Sequence, residues 1–324
     1  MIEAPGIYTD ISDADYHADC VGPSPSLSAT IAKLIVLKSP RHAWLKHPRL
    51  NKALAYEVEK PDRKKDVGSA THKLVLGAGR TIKPLGFEDY KSKAAQDARK
   101  AAIAAGLLPI VPDDLEKAQG AAEAIRAELS GTALDGVLDD GDPETTLVWR
   151  DVGGIWCRSR LDFLPRAARG GGFIVVPDIK TNGGADLEKW NRTAFDIGAN
   201  IQAAFYERGL KALIPGIRGV EFLFAVAEQE EPHGVRVFGI GGEALEKARG
   251  YVDLAMAAWA SCIARGVTKD NWPGYAKETT WLDEPVYYAL SMEMRRMIFL
   301  DRIRRWQGIG ASKNPDLLAH IEAD

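Results

Sequence analysis

The 324-residue sequence has few cysteines, no long apolar run and little excess charge, and each shortage excludes a class of protein. Its three cysteines, Cys20, Cys157 and Cys262, lie far apart and form no CxxC pair. This spacing argues against a disulfide framework, a zinc knuckle or a four-cysteine iron–sulfur site. Any metal is therefore expected to bind mainly through oxygen and imidazole ligands.

The chain also lacks the signals of membrane insertion and export. No stretch of 18 or more apolar residues occurs, and the opening "MIEAPGIYTD" lacks the basic and then apolar pattern of a signal peptide. We therefore expect a cytoplasmic protein with no membrane association. A net charge of -3 and an isoelectric point near 6.1 mean that any nucleic-acid binding must come from local basic patches.

Helical patterns dominate the first 130 residues. A helix that contains Ile31 and Leu34 follows Ser26 or Ser28, either of which can cap it. The segment after it, "KSPRHAWLKHPRLNK", has five Lys and Arg residues and no acid, which is typical of a nucleic-acid-binding face or of a solvated helix end.

Two further helices are predicted over residues 90–130, where alanine is frequent and "LLPIVP" forms the connection. Asp113 or Asp114 is placed to cap the second of them.

Strand patterns follow. "ETTLVWRD", a "VGG" turn and "IWCRSRLDFL" predict a β-hairpin, and "GVEFLFAVAEQEEPHGVRVFGIG" predicts a second one. Between them lie the apolar strand "FIVVPDIKTN" and one helix over "RTAFDIGANIQAAFYERGL"; the remainder is mostly helical through Arg304. This order indicates an α/β or α+β fold with a central mixed β-sheet flanked by helices. No GxGxxG or GxxxxGK[ST] motif indicates a nucleotide-binding fold.

The strand "FIVVPDIKTN" contains an acid and a base on one face. Side chains alternate along a strand, so Asp178 and Lys180 point the same way and Ile179 points into the core. Pro177 removes a ladder hydrogen bond, so it is expected at an edge, an end or a bulge, where regular pairing loosens. Asp178 and Lys180 form either an ordinary ion pair or part of a site.

Alternation in "IWCRSRLDFL" places Asp162 on one face with Arg158 and Arg160, which could neutralise it or contact a phosphate. If this strand pairs with the next, Asp162 and Asp178 converge. Two adjacent carboxylates repel each other unless a cation lies between them, and hard oxygen ligands suit Mg²⁺ or Mn²⁺. Lys180 could then orient a water molecule and stabilise negative charge on phosphorus.

The run Pro177-Asp178-Ile179-Lys180 resembles the signature of PD-(D/E)XK nucleases, with Lys180 as the signature lysine. Further motifs resemble the RecB-like branch: "GSATHKLVLG" its G-x-x-x-H helix, "CRSRLDFL" its G/R-x-x-D strand, and "QAAFY" its Q-x-x-x-Y helix. The resemblance implies a restriction-endonuclease-like core. It also implies catalytic roles for Asp162, Asp178 and Lys180.

The same resemblance supplies further site residues. It implies metal binding by His72, Asp162, Asp178 and the backbone carbonyl of Ile179, and places Gln202 and Tyr206 in the catalytic site. From the residues alone, His72 could be a core histidine, and Gln202 and Tyr206 could simply pack on one helical face. For Glu144, which opens the first hairpin, an exposed strand-end charge is preferred to an auxiliary acid.

Within that branch, residues 5–285 resemble phage and prophage exodeoxyribonuclease VIII (RecE-type) proteins. The features are "PGIYTDISDADYHAD", "LSATIAKLI...SPRHAW", the Ala-rich helix pair and "WPGY". The resemblance implies a Mg²⁺-dependent exonuclease, for which Mn²⁺ can substitute, that resects the 5′-ended strand of double-stranded DNA. It also implies a single-strand annealing partner, a ring-like homo-oligomer and action in the cytoplasm of a bacterial host cell. An endonuclease of the same superfamily and a non-catalytic DNA-binding scaffold remain as alternatives.

Three regions are predicted. Residues 1–66 form an N-terminal helical, DNA-gripping segment packed on the core, and residues 67–285 form the nuclease core with a helical insertion at about 88–130. Residues 286–324 form a C-terminal helical extension, in which Arg295, Arg302 and Arg305 form a solvated face or an oligomer contact.

Overall fold

The computed structural model describes residues 1–56, 61–275 and 277, and these ranges contain nine α-helices and nine β-strands. In chain order the helices are α1 (Asp13–His17), α2 (Ala29–Leu37), α3 (Pro40–Lys46), α4 (Arg63–Leu76), α5 (Lys93–Ala104), α6 (Pro112–Glu128), α7 (Leu187–Asp196), α8 (Ala199–Leu213) and α9 (Gly242–Arg265). The strands are β1 (Gly6–Tyr8), β2 (Leu27–Ser28), β3 (Ile82–Pro84), β4 (Leu108–Ile110), β5 (Gly141–Arg150), β6 (Trp156–Pro165), β7 (Gly172–Asn182), β8 (Ile217–Glu228) and β9 (Val235–Gly239).

The strands of the described residues form three hydrogen-bonded ladders. One has the order β1-β5-β6-β2, one pairs β3 with β4, and one has the order β7-β8-β9. β5 and β6 are antiparallel, as are β8 and β9, so both predicted hairpins are present. β7 runs parallel to β8, and helices cover the sheets. The predicted α/β fold class with mixed strand directions is confirmed.

Helix α8 forms the centre of the core. Eleven of its 15 residues are buried, and it packs on β5, β6 and β8, so it contacts strands of two ladders. Close approach depends on Gly209, where a Cβ would lie 2.7 Å from the Trp149 ring. Trp149 in turn packs on Phe205 with ring centroids 5.1 Å apart. Helix α8 therefore provides a rigid base beneath both groups of strands.

The single helix predicted over residues 192–210 is wrong, because the chain forms two helices that are interrupted at Gly198. Gly198 has a φ of 67°, a left-handed conformation that glycine adopts without steric cost. A Cβ at this position would lie 2.9 Å from the Lys33 side chain and 3.1 Å from that of Leu37. Glycine therefore permits both the change of direction and the close packing of α2.

The helical region before the first hairpin matches its prediction only in part. Helices α5 and α6 are present, but their connection contains β4, which pairs with β3. The predicted cap is wrong, because α6 begins at Pro112, whose fixed φ suits the first helical position. Asp114 is instead buried and accepts hydrogen bonds from the Arg63 guanidinium at 2.7 and 2.9 Å.

A buried network attaches the N-terminal segment to β6. The Arg158 guanidinium lies 2.8 Å from the Asp19 carboxylate and donates to the Ser26 carbonyl at 3.0 Å. His47 Nε2 lies 3.0 Å from the same carbonyl, and burial lowers the pKa of this imidazole to about 4. Arg158 is therefore a structural residue, and the prediction that it neutralises Asp162 or contacts phosphate is wrong. Next to this network, Ser28 caps α2 by accepting a hydrogen bond from the Ile31 N–H.

Residues 1–275 form one compact unit. The predicted C-terminal extension, including Arg295, Arg302 and Arg305, lies outside the described residues. Among the described residues, no helix combines the length and the apolar character that a membrane span requires.

We expect Arg158→Met to lower the free energy of unfolding by about 3 kcal/mol, because it removes the cation that lies 2.8 Å from the buried Asp19 carboxylate and leaves only the more distant Arg49 guanidinium, at 3.6 Å. Urea denaturation followed by circular dichroism measures this change. Arg218→Met is the matched control: its guanidinium lies over the exposed Phe173 ring, and its loss should cost about 0.5 kcal/mol or less. Equal effects of the two substitutions would contradict the role assigned to Arg158.

Candidate active site

The edge of β7 that faces β6 lacks a ladder, and Pro177 explains why. Among the described residues β7 pairs only with β8, continuously from Phe173 to Asn182, so it is the edge strand of its ladder, as the proline predicts. N–H groups alternate in direction along a strand, so position 177 faces the same side as Ile179. The Ile179 N–H donates to Asp162 Oδ2 on β6 at 2.7 Å. Pro177 has no N–H with which to form a backbone hydrogen bond to β6. The Asp162 side chain joins β6 to β7 two residues later, at Ile179.

His72 on α4 contacts the other polar group of the Ile179 backbone, its carbonyl. Its Nε2 lies 2.7 Å from the Ile179 carbonyl oxygen, and its Nδ1 lies 3.5 Å from Asp162 Oδ2. Since the carbonyl only accepts, Nε2 carries the proton. Helix α4 approaches β7 closely through Gly68, where a Cβ would lie 3.2 Å from Thr181 Oγ1. The glycine and histidine of "GSATH" therefore have a joint structural role.

Asp178 and Lys180 form an ion pair beside these groups, in which the Asp178 side chain is buried and the Lys180 side chain is 22% exposed. Asp178 is only 1% exposed; its Oδ2 contacts Lys180 Nζ, and its Oδ1 accepts from Gln202 Nε2 at 2.8 Å. Burial raises the pKa of Asp178 to about 6, although Lys180 opposes the shift. Burial by itself would lower the pKa of Lys180, but the carboxylates of Asp178 and Asp162 raise it overall. Lys180 is therefore an ammonium at neutral pH.

Tyr206, one helical turn after Gln202, lies beneath the site. Burial raises its pKa far above the usual range, and the nearby backbone of Arg160 on β6 opposes this shift. Its ring packs edge-on against Phe222 with centroids 5.5 Å apart. The structure thus brings Gln202 into contact with Asp178, whereas Tyr206 supports β6 from below.

Glu144 is a third carboxylate of the site. It lies opposite Asp162, at the one position where the β5–β6 ladder is interrupted, and has a φ of 50°, which is unusual for a residue with a side chain. Its side chain is 27% exposed, and burial, followed by the Asp162 charge, raises its pKa. The preferred reading as an exposed strand-end charge is wrong. The hairpin register could have revealed it, because Arg150 opposite Trp156 implies Glu144 opposite Asp162.

Arg160 interacts with Glu144 more closely than with Asp162. Its Nε lies 3.3 Å from Thr146 Oγ1 and 3.7 Å from Glu144 Oε2, and its guanidinium stacks over the Tyr16 ring at 4.8 Å. It therefore offsets part of the negative charge at the mouth of the site.

Two adjoining cavities lead away from these groups. The site cavity, about 930 Å³, is lined by His72, Glu144, Ile179 and Lys180 and by basic side chains that include Lys73. A second cavity of about 990 Å³, here called the lysine cavity, contains Lys33, Lys38, Lys46 and the exposed apolar residues Leu37 and Phe195. His17, Lys65 and Ile197 line both cavities.

Among the lysines of this second cavity, Lys33 interacts electrostatically with Lys180 and Asp178 of the site. Burial lowers its pKa to about 8, the positive charge of Lys180 lowers it further, and Asp178 opposes the shift. The two arginines of the basic stretch that follows are structural. Arg49 donates to the carbonyls of Val21 and Pro23, and Arg41 donates to that of Trp272.

The donors at the site match a hard divalent cation in chemistry. Asp162, Asp178 and the Ile179 carbonyl offer oxygen, and His72 offers imidazole nitrogen. Burial chiefly, and the Asp162 charge in addition, raise the pKa values of Asp178 and Glu144, and a bound cation would oppose both effects. These donors now bond to each other and to Lys180, and no three His, Cys, Asp or Glu side chains in the described ranges converge on one point.

An α/β fold that presents Asp162, Asp178 and Lys180 on neighbouring strand edges belongs to the PD-(D/E)XK class. Residues 56–285 match the family described as "PDDEXK-like domain of unknown function (DUF3799)", and the chain belongs to this family. A crystal structure of a "putative exonuclease" from Eubacterium rectale is 14% identical, with a TM-score of 0.49 over 85% of this chain and 95% of that one. No curated protein matches the chain. The narrower RecE-type resemblance stays a prediction.

Asp178 should make the stability of the metal-free protein depend on pH. Because its folded pKa is raised from 3.8 to about 6, its contribution to stability is fully present below about pH 4 and lost as the pH rises through 6. We expect the unfolding free energy of the wild type, relative to that of Asp178→Asn, to fall by about 3 kcal/mol as the pH rises across this window. Urea titrations in EDTA measure it. Parallel pH curves for the two proteins would rule out a raised pKa.

Proposed function

We propose that this protein is a divalent-metal-dependent deoxyribonuclease. The observation that supports this most strongly is the Asp178–Lys180 pair held next to Asp162 at the Ile179 peptide. A buried acid paired with a base in a cleft, with a strongly shifted pKa, is more typical of a site than of a surface ion pair. Membership of a PDDEXK-like family supports the same conclusion.

The chemistry of each site residue determines its proposed role. Asp162, Asp178, the Ile179 carbonyl and His72 would hold Mg²⁺, with Mn²⁺ as a substitute. When bound, such a cation supplies positive charge that stabilises the negatively charged transition state of phosphodiester cleavage. Lys180 is an ammonium and therefore donates hydrogen bonds: it orients the attacking water and opposes charge on the phosphate. Gln202 fixes the orientation of the Asp178 carboxylate.

DNA binding must come from local surfaces, because the net charge of the chain is -3. The lysine cavity and the basic rim of the site cavity supply such surfaces directly beside Lys180. Phosphate contacts of this kind weaken as salt rises, because counterions are released on binding.

The finer activity follows from the RecE-type resemblance. We propose an exonuclease that digests linear double-stranded DNA from its ends, resects the 5′-ended strand and leaves a tail for a single-strand annealing protein. A ring-like homo-oligomer that encircles DNA would make digestion processive. The proposed setting is phage-type recombination in the cytoplasm of a bacterial host.

With Mg²⁺, the wild-type protein should release nucleotides from linear duplex DNA and leave covalently closed circles intact. Lys180→Ala and Asp178→Ala should each reduce the rate by about 10²-fold or more, because each removes a group that contacts the reacting phosphate or its metal. Release of acid-soluble nucleotides measures the rate, and Lys93→Ala, an exposed lysine paired with Asp97, is the control.

The outcomes separate the proposals. Cleavage of closed circles would replace the exonuclease with an endonuclease of the same site. DNA binding without any cleavage by the wild type would indicate a scaffold. Full activity of both variants would reject the assigned site.

Lys33→Met should weaken DNA binding, since it keeps the buried stem and removes the charge. In EDTA, where cleavage is prevented, we expect the slope of log affinity against log salt to decrease in magnitude by about one. Fluorescence anisotropy of labelled duplex DNA measures this slope, with Lys93→Met as the control. An unchanged slope would exclude a phosphate contact by Lys33.

A further inference from the structure

A third cavity, here called the α9 pocket, lies where helix α9 begins. Its volume is about 530 Å³, and its lining includes Phe195, Asn200, Gly241, Gly242, Lys247 and Tyr251. None of these residues belongs to the proposed nuclease site. The pocket therefore requires an explanation of its own.

Backbone N–H groups are available at one end of the pocket. Helix α9 is 24 residues long, and its cap residue Gly241 offers no side-chain acceptor to the first turn. A Cβ at Gly241 or Gly242 would meet no atom within 4 Å, so this backbone is uncovered. The N-terminus of a long helix carries partial positive charge and favours phosphate, and Lys247 adds a full charge one turn later.

Asn200 gives an independent indication that the pocket binds a ligand. The residue is only 7% exposed and lines the cavity. Its side-chain amide has no hydrogen-bond partner within residues 1–56, 61–275 and 277. Neither amide atom is among the fully buried unpaired atoms, which in the described residues are Arg99 Nε and Ser159 Oγ, so the amide reaches the open space of the pocket. A polar ligand in the pocket would provide the missing partner.

Two aromatic side chains provide the apolar part of the lining. Phe195 is 42% exposed and Tyr251 is 43% exposed, which are large fractions for such rings. Exposed rings next to phosphate-binding groups are typical of sites where bases stack. Phe195 also lines the lysine cavity, so the α9 pocket continues the row of cavities that starts at Lys180.

We propose that the α9 pocket binds one nucleotide, with its phosphate at the N-terminus of α9 and Lys247 and its base against Phe195 and Tyr251. The Asn200 amide hydrogen-bonds the same nucleotide. The nucleotide is either free or part of a DNA strand that extends from the lysine cavity. The carboxylate of Glu243, which also lines the pocket, opposes the phosphate and limits affinity. This site is additional to the proposed nuclease and does not depend on it.

The test uses the 5′-monophosphate of 2-aminopurine deoxyribonucleoside, whose fluorescence is quenched by stacking, with the full chain in EDTA. We expect saturable quenching. Lys247→Ala should weaken binding of the monophosphate about tenfold and leave binding of the unphosphorylated nucleoside unchanged. Glu243→Gln should strengthen binding of the monophosphate. Lys100→Ala, an exposed lysine on α5, is the matched control and should have no effect.

A second arm identifies the source of the nucleotide. If an oligonucleotide with one internal 2-aminopurine is quenched and the monophosphate is not, the pocket binds part of a DNA strand. If the monophosphate is quenched, the pocket binds a free nucleotide. Tyr251→Leu should reduce quenching in either case. No saturable quenching by either probe, or quenching unchanged in both Lys247→Ala and Tyr251→Leu, would overturn the proposal. Lys180→Ala should bind the monophosphate normally, which separates this outcome from a failure of the nuclease proposal.

Discussion

The two hydrogen bonds of the Ile179 peptide hold the candidate site together. Its N–H bonds to Asp162 on β6 and its carbonyl to His72 on α4, so the backbone of one residue on β7 joins three elements. These contacts exist because Pro177, which faces the same side, cannot take part in a ladder there. A regular β6–β7 ladder would have used the N–H and carbonyl of Ile179 for backbone pairing. The side chains of Asp162 and His72 contact that edge instead.

The site concentrates charge where burial makes charge expensive. Asp178 and Lys180 stabilise each other, and Gln202 satisfies the remaining carboxylate oxygen, yet the pKa of Asp178 is still raised. Asp162 and Glu144 add further negative charge nearby. Such an arrangement costs stability in the metal-free protein, and a cation would relieve that cost. Function and stability are therefore opposed in this part of the fold.

Period-two alternation predicted both hairpins and the common face of Asp178 and Lys180, because strand geometry alone decides which side chains share a face. It could not predict what lies across that face. Arg158 pairs with Asp19, which is distant in sequence, so only the tertiary fold reveals its role. The pattern does not predict the break at Gly198, because a glycine within a helical pattern is usually tolerated. Only the register of the β5–β6 hairpin places Glu144 opposite Asp162. The predicted turn implies this register, but the charge of Glu144 near the start of the strand suggested an exposed residue.

The attachment of the N-terminal segment has a consequence for protein engineering. A boundary at residue 66 would separate Asp19 from Arg158 and β2 from β6, and would remove Lys33 from its place against Gly198. A chimaera that joined the first 66 residues of one relative to the remainder of another would have to match all three contacts at once. Residues 1–66 and the sheet that contains β6 can therefore be exchanged between relatives only together, although the sequence suggests a boundary between them.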